Sequence, residues 1–138
     1  MAIKQLSVFV ENKSGKLLET VKALADAKID IRAMSIADTK DFGILRLIVS
    51  DIDGAKNVLE DSIYTVTDVV AAEMKDESGA LYHIMSVLGN ADINIDYMYA
   101  FTSTVNSGAY VVLRVDDNNA TEKVLEENGI KVLASADI

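Results

Sequence analysis

The chain of 138 residues contains no cysteine, no proline, no tryptophan and a single histidine. Without cysteine there is no disulfide, no thiol nucleophile and no thiolate metal ligand, and one histidine does not make a nitrogen-rich metal site. No uninterrupted apolar stretch approaches the roughly 20 residues that span a bilayer, although half of the residues are apolar. Net positive charge is missing too. Thirteen basic residues face 22 acidic ones for a formal net charge of −9, the wrong sign for electrostatic association with nucleic acid. Nothing rich in Gly, Ser or Pro separates the two halves, so no flexible tether is expected between them. The opening Met-Ala-Ile-Lys-Gln does not read as a signal peptide, and a cytoplasmic protein is the expectation.

What the chain does contain, it contains twice. Asn12-Lys13-Ser14-Gly15-Lys16-Leu17 leads to Asp30-Ile31, and Asp76-Glu77-Ser78-Gly79-Ala80-Leu81 leads to Asn94-Ile95, each at an offset of 64 residues. Two copies of one loop-helix-strand unit suit a pair of compact modules better than an open array. Hydrophobic periodicity fills in each copy. Leu6 to Val10 reads as a strand, and Leu17, Leu18, Val21, Leu24 and Ala25 recur at helical spacing. Ile31 to Ala37 and Ile44 to Val49 form a hairpin about a turn at Asp38-Thr39-Lys40-Asp41, Asp51 to Glu60 is a second helix, and a strand returns near Tyr64 to Thr67. The second copy gives a strand from Val69 to Met74, a helix from Leu81 to Asn90, strands from Ile95 to Phe101 and Ala109 to Val115, a helix from Ala120 to Glu127, and a tail from Lys131 to Ala134.

The expected fold is therefore α+β: two βαββαβ ferredoxin-like modules, residues 1–67 and 68–138, each an antiparallel sheet with both helices on one face. The free sheet faces require cover, with Ile36, Leu47 and Val49 expected on one and Tyr97, Tyr99 and Phe101 on the other.

These motifs resemble the ACT domain, a small-molecule-sensing module that pairs with other copies of itself. The pattern carrying the resemblance is an acidic or amide residue, Pro-Gly-x-Leu at the first helix, and a polar residue between aliphatics at the start of the second strand. Asn12, Gly15, Leu17 and Asp30 match it in the first copy, and Asp76, Gly79, Leu81 and Asn94 in the second; Ser14 and Ser78 stand where the family carries proline. The resemblance implies a free amino acid as ligand, bound at interfaces between modules, and a regulatory subunit or sensor without catalysis, similar to stand-alone tandem ACT proteins related to acetolactate synthase small subunits. A homodimer and a biosynthetic enzyme partner are expected with it, and no metal or cofactor.

Elementary chemistry supports the same residues. Glycines ahead of a helix N-terminus, with its unpaired N–H groups and partial positive charge, suit a carboxylate. Asp30 and Asn94 offer oxygen acceptors for an ammonium group. The expected ligand contacts are Asn12, Lys13, Ser14, Gly15, Lys16, Leu17, Asp30 and Ile31 with Asp76, Glu77, Ser78, Gly79, Ala80, Leu81, Asn94 and Ile95. Plainer readings remain open: Asn12, Ser14, Asp76 and Ser78 as helix caps, Asp30 and Asn94 as turn residues, and His83, in the place of Glu19, as an exposed helix position. Lys13 and Lys16 make the first loop the more basic, so the sites are expected to bind unequally, the first tolerating acidic ligands better. Two other classes compete with a sensor. One is a ligand-independent interaction scaffold, and the other a small enzyme on this fold, for which no nucleophile-base pair is present.

Overall fold

The computed structural model describes residues 3–38, 41–103 and 108–138. Two compact units are present, Lys4–Thr67 and Asp68–Ile138 with Ile3, and the division falls inside a strand. Thr39 and Lys40, at the centre of the expected first hairpin turn, lie outside the described residues.

In the first unit, β1 (Ile3–Glu11) is followed by α1 (Lys16–Asp26), β2 (Ile31–Asp38), β3 (Phe42–Val49) and α2 (Ile52–Val58). β4 runs unbroken from Tyr64 to Met74, where the sequence suggested two strands. The strand order β2-β3-β1-β4 places β1 in the middle, antiparallel to β3 with Leu6 opposite Leu47 and Val8 opposite Leu45. Those four side chains, with Val10, Leu24, Ile29, Ala55 and Leu59, form the core beneath the helices.

The second unit repeats the arrangement with β4, α3 (Ala80–Asn90), β5 (Ile95–Thr102), β6 (Ala109–Val115), α4 (Asn118–Glu127) and β7 (Val132–Leu133), closed by a 3-10 turn at Ser135–Asp137. β6 lies between β4 and β5, and β7 pairs with the other side of β4, so the order β7-β4-β6-β5 matches the first unit. Its core joins Val70, Ala72, Val111, Leu113 and Val115 from the sheet to Ile84, Leu88 and Leu125 from the helices. No helix among the described residues is long and apolar enough to cross a membrane.

Strand parity corrects one expectation. Leu47 and Val49 belong to the helix-side core of the first unit, where Leu47 is fully buried and Val49 packs against the cluster, so they do not mark its free face. Ile36 is opposite Leu45 and shares that side. Tyr97, Tyr99 and Phe101 do lie on the other side of their sheet, opposite Arg114, Val112 and Tyr110, with Tyr99 and Phe101 in an edge-to-face contact at 5.9 Å. That face is not bare: Tyr110 and Val112 on it are fully buried.

The duplication extends to backbone detail. The left-handed residues Gly15 (φ 85°) and Gly79 (φ 87°), and Lys28 (φ 60°) and Asp92 (φ 56°), keep the offset of 64. Register shifts fall between Ile31 and Ala33 and between Ile95 and Tyr97, again at equivalent positions. Asp51 and Asp117 each cap a second helix, accepting from Gly54 N–H and Ala120 N–H at 3.0 Å.

Candidate functional site

Each duplicated loop is shaped by the same three backbone bonds. Lys13 N–H donates to the Glu11 carbonyl (2.8 Å), Lys16 N–H to that of Lys13 (3.2 Å) and Glu19 N–H to that of Gly15 (3.0 Å); the second loop repeats them as Glu77 to Lys75 (2.9 Å), Ala80 to Glu77 (3.3 Å) and His83 to Gly79 (2.9 Å). The N-cap of α1 is Gly15 and that of α3 is Gly79, both left-handed, and neither helix has a side-chain cap. Asn12, Ser14, Asp76 and Ser78 therefore do not act as caps here. The first-turn N–H groups of Leu81 and Tyr82, and of Leu17 and Leu18, have no hydrogen-bond partner among the described residues. Open donors and the positive end of an 11-residue helix face whatever occupies the space before Gly79.

A Cβ at Gly15 or Gly79 would meet nothing within 4 Å. The backbone conformation, not a lack of room, is what calls for glycine there.

The space in front of the second loop is a groove of about 650 Å³, formed entirely within the second unit. It is lined by the end of β4 and the loop, Glu73 through Ala80, by His83 and Ile84 of α3, and by Asn128 to Lys131, the turn between α4 and β7. Glu73 N–H donates to the Lys131 carbonyl at 2.8 Å, continuing the pairing of β4 with β7. Of the expected contacts, Asp76, Glu77, Ser78, Gly79 and Ala80 line the groove. Leu81 is on the helix beside it and 37% exposed.

Asn94 and Ile95 are not on the groove lining, since they follow the far end of α3, about 16 Å along an 11-residue helix. The Asn94 amide donates instead to Asp96 Oδ1 (3.4 Å). In the first unit Asp30 is held locally in the same way: its N–H donates to Ser50 Oγ (3.0 Å), its carbonyl accepts from Ser50 N–H (2.9 Å), and its carboxylate is 3.4 Å from Arg32 Nε. Within one unit, then, the structure does not bring the loop together with Asp30 or Asn94. Ile31 and Ile95 open their strands beside the shifted register, and both pack against the helix-side cores.

Sequence reasoning missed the contribution of the α4–β7 turn. Asn128, Gly129 and Lys131 lie more than 45 residues from the loop, and only the pairing of β7 with β4 brings them to it. A signal was present: Asn128-Gly129 is a turn dipeptide, Gly129 takes φ 76°, and the expected strand order already puts the last strand beside the first. His83, read as a plain exposed helix position, stays exposed but faces the groove. Among the described residues no cluster of three or more His, Cys, Asp or Glu could hold a metal ion.

The protein BT0572 from Bacteroides thetaiotaomicron has a similar crystal structure, 41% identical, with a TM-score of 0.91 over 99% of this chain and 95% of that one. The regulatory subunits of aspartate kinase from Thermus thermophilus, in its ligand-free form, and from Thermus flavus share the fold at 11% identity each, with TM-scores of 0.64 and 0.63 over 90% of either chain in both cases. No curated protein matches the chain. The family model described as an ACT domain pair matches residues 1–138, in keeping with two βαββαβ units that repeat their loop, bulge and cap at fixed offsets: the chain belongs to the ACT domain pair family.

Proposed function

We propose that this protein is a non-catalytic regulator that binds a free amino acid at the loop before α3, and at its counterpart before α1, and passes its liganded state to an enzyme of amino-acid metabolism in the cytoplasm. The observation that carries this reading is the groove at Asp76–Ala80, where a left-handed glycine and an uncapped helix N-terminus open onto about 650 Å³. Open backbone N–H groups suit the ligand's α-carboxylate. Asp76, Glu77 and Glu73 on the groove wall suit its ammonium group. A fold shared with aspartate kinase regulatory subunits supports a partner enzyme as the recipient. Ligand can regulate only through differential affinity for two states of the protein, with couplings of about 1–3 kcal/mol being typical.

The test is thermal unfolding of the full chain against each of the twenty amino acids. A ligand at about 100 times its Kd adds about 2.7 kcal/mol to the native state, so one or a few amino acids are expected to raise the midpoint saturably. No shift from any of them overturns the sensor reading in favour of a ligand-independent scaffold.

A further inference from the structure

The two loops differ in how their lysines are paired. Lys13 and Lys16, which make the first loop look basic, are both engaged: Lys13 Nζ is 3.1 Å from Glu11 and Lys16 Nζ is 3.6 Å from Glu19. In the second unit Lys75 stands 64 residues after Glu11, a reversal of charge at the equivalent position, and Lys131, just before the neighbouring strand β7, also lines the groove. Among the described residues neither Lys75 nor Lys131 has an ion-pair partner, although the chain carries a large acidic excess and Lys22, Lys56 and Lys123 each pair with an acid on their own helix.

The counterpart surface of the first unit is apolar. Phe9 N–H donates to the Ile63 carbonyl at 2.9 Å, the same bond that Glu73 makes to Lys131, so Phe9 and Ile63 occupy the places of those two charged residues. They are 42% and 72% exposed.

Resting on the reading above, we infer that the groove of the second unit selects a dicarboxylic amino acid, held between Lys75 and Lys131, and that the first unit does not share this preference. An acidic amino acid carries two carboxylates and one ammonium group. The groove offers two lysines from the adjacent strand ends of β4 and β7 together with the N-terminus of α3 for the former, and Glu73, Asp76 and Glu77 for the latter. A neutral amino acid brings only one carboxylate to the two lysines. Because the lysines are exposed, the attraction is screened by salt, and affinity for the acid falls with ionic strength more steeply than affinity for its amide.

The experiment is calorimetric titration of the full chain with L-aspartate and L-glutamate against L-asparagine and L-glutamine, which match them in size and differ in one charge. The acid is expected to bind about tenfold or more tightly than its amide, the difference between a charge-assisted and a neutral hydrogen bond. Lys75→Gln or Lys131→Gln brings that ratio toward one, and Lys56→Gln, on α2 away from both loops, leaves it unchanged. Unaltered thermal midpoints without ligand show that the variants fold. Equal affinity for acid and amide, or a ratio that survives Lys131→Gln, overturns the selection while leaving amino-acid sensing in place; no binding of any amino acid overturns both.

Discussion

At the scale of the residue, four positions carry the geometry of the loops. Gly15 and Gly79 sit at φ 85° and 87° with open space where a Cβ would go, so substitution there is resisted by the backbone alone. Left-handed conformation costs an L-residue about 1–2 kcal/mol, and Gly79→Ala is expected to destabilise by that amount in chemical denaturation. Gly79→Val should cost more, because its branched Cβ restricts the backbone further. Lys28 and Asp92, at φ 60° and 56°, already bear that strain after the first helix of each unit. Lys28→Gly is expected to leave stability unchanged or slightly higher, relief of strain offsetting the entropy of glycine. The loops were legible in the sequence because a glycine at a helix start is a local signal. The conformation of Lys28 was not, since nothing in its side chain favours φ above zero.

At the scale of the element, the helices divide into two pairs with different starts. α1 and α3 begin at glycine with no side-chain cap, whereas α2 and α4 begin at Asp51 and Asp117, whose carboxylates accept from Gly54 and Ala120 N–H. In the uncapped pair no side chain covers the helix start. Asp117→Ala is expected to cost about 1 kcal/mol in the denaturation midpoint with little effect on ligand affinity, because α4 contributes its other end to the groove. The amphipathic faces were partly legible. Of the apolar positions that recur at helical spacing in α1, Leu24 is buried while Leu17 and Leu18 are exposed, Leu18 at 69%; in α3, Ile84 and Leu88 are buried and Leu81 is exposed. Leu17, Leu18 and Leu81 occupy first helical turns beside the loops. Leu88→Ala, at a fully buried position in the second core, is expected to cost about 2–5 kcal/mol, against less than about 1 kcal/mol for Leu18→Ala at the surface.

At the scale of the whole molecule, each unit has its own core and the second has a groove closed by segments more than 45 residues apart in the chain. Ligand held there engages β4, the loop, α3 and the α4–β7 turn together, so it opposes unfolding of the entire unit and is expected to raise the thermal midpoint rather than merely order a loop. Lys131→Gln should remove the extra stabilisation given by aspartate over asparagine without lowering the midpoint of the unliganded protein. The sequence by itself determined the duplication, the order of strands and helices, the glycine loops and the family, because periodicity, turn chemistry and a constant offset are properties of neighbours along the chain. The tertiary structure alone decided which side chains meet across the groove and which charges remain unpaired. Lys13 and Lys16 are neutralised by acids within three residues of them, whereas Lys131 reaches the second loop only through the pairing of β7 with β4, a contact between residues distant in sequence. Local composition could count those charges, but electrostatic selectivity depends on their separation in space.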